Sequence, residues 1–225
     1  MQEFKGWVAT LANQYIRKVD VVNRGFSGYN TVHALELFPK IFNKEICKDT
    51  LLMTLFFGAN DCSLNPIQMI TPEAYVKNMR QLIQLSLETF PENCPIIVIT
   101  PPPCYARKFN EDHDFHDHEN KRTEEFRNLC LATVKEFSNN ARVFHIDIWE
   151  DILGESWDTE TEEFNEKINQ YLCDGLHLNA AGNDLIYNNL IKLIDEKLPH
   201  LSSDNLSLIG PYWRDINPIN YKVSF

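Results

Sequence analysis

The sequence has 225 residues, enough for one sizeable domain with a proper core. Hydrophobic residues make up 44% of it and charged residues 24%, the balance of a globular protein. A formal net charge of −11 argues against nucleic acid or an anionic membrane as the main partner, because both call for basic patches. No run approaches the ~18 consecutive apolar residues of a membrane span. The first residues, MQEFKGW, lack the apolar core of a secretory signal. Six cysteines are scattered without a Cys-x-x-Cys pair, so neither a zinc ribbon nor a thioredoxin-type site is indicated. Reduced thiols in a cytoplasmic compartment are the expectation.

In chain order, short apolar runs alternate with longer amphipathic ones. KVDVVNRG (18–25) reads as a strand ending in a glycine turn, and TVHALELFPKIFN (31–43) as a helix bent or interrupted at Pro39. DTLLMTLFFGAND (49–61) is an apolar run that ends in a turn. TPEAYVKNMRQLIQLSLETF (71–90) has Thr71 as a cap and Pro72 at the first helical position. Within it, Val76, Met79, Ile83, Leu87 and Phe90 recur at three- and four-residue steps. CPIIVITPPP (94–103) is a strand stopped by prolines. ENKRTEEFRNLCLATVKEFSN (119–139) is a helix with Phe126, Cys130 and Val134 on one face. ARVFHIDIW (141–149) is a further strand, with Asp147 as a turn residue at its end, and AAGNDLIYNNLIKLIDEKL (180–198) is the last helix. This alternation predicts a parallel sheet covered by helices on both faces, and a single domain over residues 1–225. Ligands of such sheets sit at the carboxyl ends of the strands.

Polar residues gather at those ends. Gly28 follows the first predicted strand, and a glycine there lets a backbone N–H approach a reacting carbonyl closely. Asn60 ends the second run and offers a side-chain N–H₂. Asp174 and His177, in YLCDGLHLNAAGN (171–183), have the spacing that lets a carboxylate fix an imidazole in one tautomer on one turn. An acyl transfer needs a base, its orienting partner, donors for the oxyanion and a nucleophile. The first three have candidates. NEDHDFHDHEN (110–120), with His113, His116 and His118, reads as a solvated loop rather than a metal site, and no metal or other cofactor is expected.

In this order, NRGFSGYNT (23–31), FFGAND (56–61), CDGLHLNAAGN (173–183) and GPYWRD (210–215) resemble the SGNH (GDSL-type) hydrolases, and among them the isoamyl acetate-hydrolysing esterases. The resemblance covers essentially the whole chain. It implies a three-layer α/β/α sandwich of flavodoxin-like type with a mostly parallel sheet. It also implies cleavage of small carboxylic esters, with Gly28 and Asn60 as oxyanion donors, His177 as base and Asp174 as its partner. Two positions depart from the pattern. Val32-His33 stand where the family usually has Arg-Trp. The Gly-Asp-Ser block that carries the family's nucleophile on its first strand occurs nowhere in this chain, so the first strand is expected to be absent and the nucleophile is unassigned. Ser27 and Cys62 are the weaker substitutes: Tyr29 stands where a nucleophile elbow needs its second glycine, and Cys62 follows Asn60 as a turn residue. The opposing expectation is an inactive, truncated chain that only binds ligands or partners.

Overall fold

The computed structural model describes residues 6–113, 116–154 and 156–216; the side chain of His113 also lies outside the description. The helices are α1 (Trp7–Gln14), α2 (Thr31–Ile41), α3 (Lys44–Cys47), α4 (Pro72–Thr89), α5 (Ala106–His113), α6 (Asn120–Lys135), α7 (Ile148–Leu153), α8 (Glu162–Asn169) and α9 (Ala180–Lys197). The strands are β1 (Met53–Phe56), β2 (Ile96–Ile99) and β3 (Val143–Ile146). The chain divides into two compact units, Met1–Gly25 with Asn183–Phe225, and Phe26–Gly182.

The unit Phe26–Gly182 holds the sheet, with order β1-β2-β3 and every pairing parallel. Met53 sits opposite Ile96, and Ile96 opposite Val143. All four side chains of β2 are buried, as its unbroken apolar run requires of a strand covered on both faces. α4 packs on β2 and on α6, α6 packs on β3, and α2 packs on α4. Their shared core includes Tyr75, Met79, Ile83, Phe126 and Cys130. α4 starts where Thr71 accepts the Ala74 N–H at 3.2 Å, with Pro72 in the first turn. Its buried face is broader than the sequence period indicates. Tyr75, Asn78, Leu82 and Ser86 are buried with Met79 and Ile83, while Val76 and Leu87 are only half-buried. Helices on two sides of α4 explain the wide stripe. α2 runs to Ile41 with Pro39 inside its last turn, so Pro39 does not interrupt it.

Two expectations fail. Residues 110–113 are not loop but the end of α5. KVDVVNRG does not form a strand: Lys18 closes a turn, residues 19–25 are irregular, and Val22 is 63% exposed. A strand persists only where a neighbour takes up its backbone groups, and among the described residues nothing pairs with this segment.

In the unit Met1–Gly25 with Asn183–Phe225, the Trp7 N–H donates to Asn183 Oδ1 at 3.1 Å, and the Tyr15 hydroxyl donates to the Leu201 carbonyl at 2.8 Å. Burial pushes the Tyr15 phenol up to about 12, aided by Asp195 and Tyr187. Arg17, at φ 61°, anchors the late segment: its guanidinium donates to the Gly210 and Pro211 carbonyls, and its own carbonyl accepts the Ile209 N–H. In the GPYWRD stretch, Arg214 lies over the rings of Tyr212 and Trp213.

Candidate active site

Asp174 and His177 sit on a tight reversal of the chain. Leu172 and Leu178 form an antiparallel bridge, and the Cys173 N–H donates to the His177 carbonyl at 2.8 Å. Gly175 lies at φ +95°, and a Cβ there would come within 2.7 Å of the Tyr105 carbonyl oxygen. That closeness lets the Tyr105 N–H donate to the Gly175 carbonyl at 2.7 Å, docking the turn against the start of α5. Lys108, on α5, donates to the Cys173 carbonyl and to Asn169.

The carboxylate of Asp174 is fully engaged. Oδ1 accepts the backbone N–H groups of Leu176 (2.9 Å) and His177 (2.8 Å), and Oδ2 lies 2.7 Å from His177 Nδ1. Partial burial pushes this carboxyl up, but the His177 backbone, the His177 ring and the Leu176 N–H outweigh it and hold the group below the usual carboxylate range. A carboxylate in that position fixes the proton on Nδ1, so Nε2 is the basic nitrogen. The His177 side chain is 66% exposed, so this nitrogen is open to a ligand.

A second polar cluster forms at the carboxyl end of β1. Gly58, at φ +123°, faces Pro101 so closely that a Cβ would come within 2.8 Å of its ring. Asp61 is fully buried and ties this turn to the first residue of α2. It accepts the Thr31 N–H (2.9 Å) and Thr31 hydroxyl (2.6 Å) on Oδ1, and the Gly58 N–H (3.1 Å) on Oδ2. Burial pushes its carboxyl up, against the pull of those donors. Gly28 and Asn60 come together on this frame. Asn60 Nδ2 donates to the Tyr29 carbonyl at 2.9 Å, while Gln68 Nε2 contacts both Asn60 Oδ1 (3.1 Å) and the Gly28 carbonyl (3.0 Å). Gly28 is at φ +77°, and among the described residues its N–H has no acceptor. His33, at one of the two departures from the family pattern, closes a capping box. Its N–H donates to Asn30 Oδ1 at 3.0 Å, and its Nδ1 accepts the Asn30 N–H at 3.3 Å.

Two rings link the clusters in series. His118 Nε2 is 3.3 Å from the carbonyl of Ala59, next to Asn60, and its ring stands edge-on to Phe109 at 4.9 Å. Phe109 is in turn 6.3 Å from the His177 ring. Asp61, Gln68 and Phe109 are absent from the sequence-based set, and His118, expected in a solvated loop, is buried at 3% exposure. Asp61 was legible in principle, since it directly follows Asn60; the other three are set by packing between segments distant in sequence.

The remaining candidates fall elsewhere. Ser27 is exposed, and among the described residues no hydrogen bond joins it to an imidazole. Cys62 is buried and bonded to the Ala59 carbonyl, and burial pushes its thiol up to about 12, leaving almost no thiolate. His116 pairs with Glu119 at 3.6 Å, and among the described residues no group of three His, Cys, Asp or Glu is gathered as for a metal. Asp147 caps α7 through the Trp149 N–H and pairs with Arg127.

Residues 2–185 match the GDSL-like lipase/acylhydrolase family. The chain is 35% identical over 220 residues to the human isoamyl acetate-hydrolyzing esterase 1 homolog, covering 94% of this chain and 81% of that one. It is 28% identical over 220 residues to the isoamyl acetate-hydrolyzing esterase of Saccharomyces cerevisiae, covering 92% and 82%. Among solved structures, the native M. smegmatis aryl esterase matches with a TM-score of 0.61 at 18% identity over 85% of each chain. At that identity the likeness establishes the fold, the α/β/α arrangement with a parallel sheet expected from the sequence.

Proposed function

From a chain that belongs to the GDSL-like lipase/acylhydrolase family, and is thereby an ester hydrolase, we propose a cleavage of small carboxylic esters such as acetates in which His177 is the base. The observation that carries this reading is the 2.7 Å contact between Asp174 Oδ2 and His177 Nδ1, which leaves Nε2 free to take a proton. The names of the relatives at 35% and 28% identity support an acetate ester as substrate. A serine hydroxyl gives its proton to His177 Nε2 as its oxygen attacks the ester carbonyl. The Gly28 N–H and Asn60 Nδ2 donate to the oxyanion. The tetrahedral intermediate collapses, the alcohol leaves with the proton from Nε2, and water activated by the same nitrogen releases the acid. The serine belongs to a Gly-Asp-Ser segment that this sequence lacks. Six free thiols support a reducing, cytoplasmic setting, and among the described residues no helix is long and apolar enough to cross a membrane.

Turnover of p-nitrophenyl acetate tests this in four proteins: the 225-residue chain, the chain extended upstream by a strand ending in Gly-Asp-Ser, and the extended chain with His177→Ala or Asn60→Ala. The extension should raise turnover by orders of magnitude. His177→Ala should remove most of the gain, and loss of one oxyanion donor should cost roughly 10²–10³ in turnover. Full activity in the unextended chain, blocked by a serine-directed phosphonate at Ser27, would overturn the assignment. Inactivity of all four proteins would favour the binding-only reading.

A further inference from the structure

His118 is only 3% exposed, yet its Nδ1 has no hydrogen-bond partner among the described residues. A buried acceptor without a partner costs stability, and a buried charge there would cost more. Burial accordingly pulls the imidazole toward its neutral form, against the Ala59 carbonyl, Asp117 and Asp174. A leucine or phenylalanine would fill the same space with no orphaned nitrogen. What the imidazole adds is an N–H at one end of the ring and an edge at the other. The N–H meets the Ala59 carbonyl, one residue from Asn60, and the edge meets Phe109, which touches His177. The ring is itself held from outside, because Asn110 Oδ1 accepts the His118 N–H at 3.1 Å and its Nδ2 donates to the His118 carbonyl at 2.9 Å.

We propose that His118 is a positioning residue: as the neutral Nε2–H tautomer it fixes the Ala59–Asn60 peptide on one side and, through the Phe109 ring, orients His177 on the other. The oxyanion donor and the base are then held to one spacing by two packed side chains, His118 and Phe109, although they lie on turns 117 positions apart (177 − 60). The inference rests on Asn60 and His177 having those roles, but its test does not depend on turnover.

The two contacts of the imidazole can be removed separately. His118→Gln places an amide N–H near the position of Nε2 and removes the ring. His118→Phe keeps a ring against Phe109 and removes the donor. Imidazole and side-chain amide ¹⁵N–¹H correlation spectra of the 225-residue chain read both ends. In the parent chain the His118 ring should show the Nε2–H tautomer. In His118→Gln, the Asn60 N–H₂ pair should stay near its parental position while the His177 ring signals shift. In His118→Phe, the pattern should reverse. Phe109→Ala should reproduce the His177 shift alone. A residue with a purely space-filling role would move both sets of signals together or neither, and either result overturns the proposal, as does an Nδ1–H tautomer. If His118→Phe does not fold, the His118→Gln and Phe109→Ala spectra still decide the His177 side, and the parental tautomer the Ala59 side.

Discussion

At the scale of single residues, the site depends on two carboxylates used in opposite ways. Asp174 is half-buried, accepts two backbone N–H groups and an imidazole, and is held below the usual carboxylate range. A group depressed in the folded state adds stability above its unfolded pKa, near ~3.9 for Asp, and loses it as pH falls through the folded value. Melting curves should therefore show the parent chain losing more stability below about pH 4 than Asp174→Asn does. If the chain extended by a Gly-Asp-Ser strand turns over ester as proposed, Asp174→Asn should lower that turnover by up to ~10⁴, the loss seen when a triad histidine is left in the wrong tautomer. Asp61 is fully buried and accepts three donors from two segments. Asp61→Ala strands the Thr31 and Gly58 N–H groups, so urea denaturation should show a loss of at least about 2 kcal/mol. Asp61→Asn should be milder, since its carbonyl can still accept from Thr31.

Among the elements, the reversal at 171–179 and the start of α5 act as one piece. The piece needs a glycine at 175, where φ is +95° and a Cβ would sit 2.7 Å from the Tyr105 carbonyl oxygen and 2.9 Å from the Phe109 nitrogen. Gly175→Ala should cost about 1–3 kcal/mol through backbone strain and displace the turn. Its signature would be a changed His177 ring signal alongside a lower melting temperature. A cap carries less. Thr71→Ala removes one acceptor at the exposed start of α4 and should cost about 1 kcal/mol without touching activity. Equal effects of the two substitutions would mean that the turn tolerates a side chain and that its closeness to Tyr105 is not what holds it.

For the whole molecule, the sheet decides the behaviour. β1 pairs with β2 on one side, and among the described residues no strand pairs with its other side; its residues are mostly half-buried where those of β2 are fully buried. An unpaired strand edge invites aggregation and leaves backbone groups unsatisfied. The 225-residue chain should melt broadly and aggregate as concentration rises; a sharp, concentration-independent transition in calorimetry would contradict this. The same sheet marks where the sequence stops being sufficient. The buried strand β2, the capped helix α4 and the Asp174–His177 pair were legible because each is written in local periodicity, a cap or a three-residue spacing. Residues 18–25 have the composition of a strand and do not form one, because a strand requires a partner that local sequence does not supply. The joining of Gly28 to Asn60 by Gln68, and the link from His118 through Phe109 to His177, were likewise settled only by tertiary structure. Those contacts link residues 8 to 68 positions apart, and a separation along the chain carries no distance in space until the core has packed.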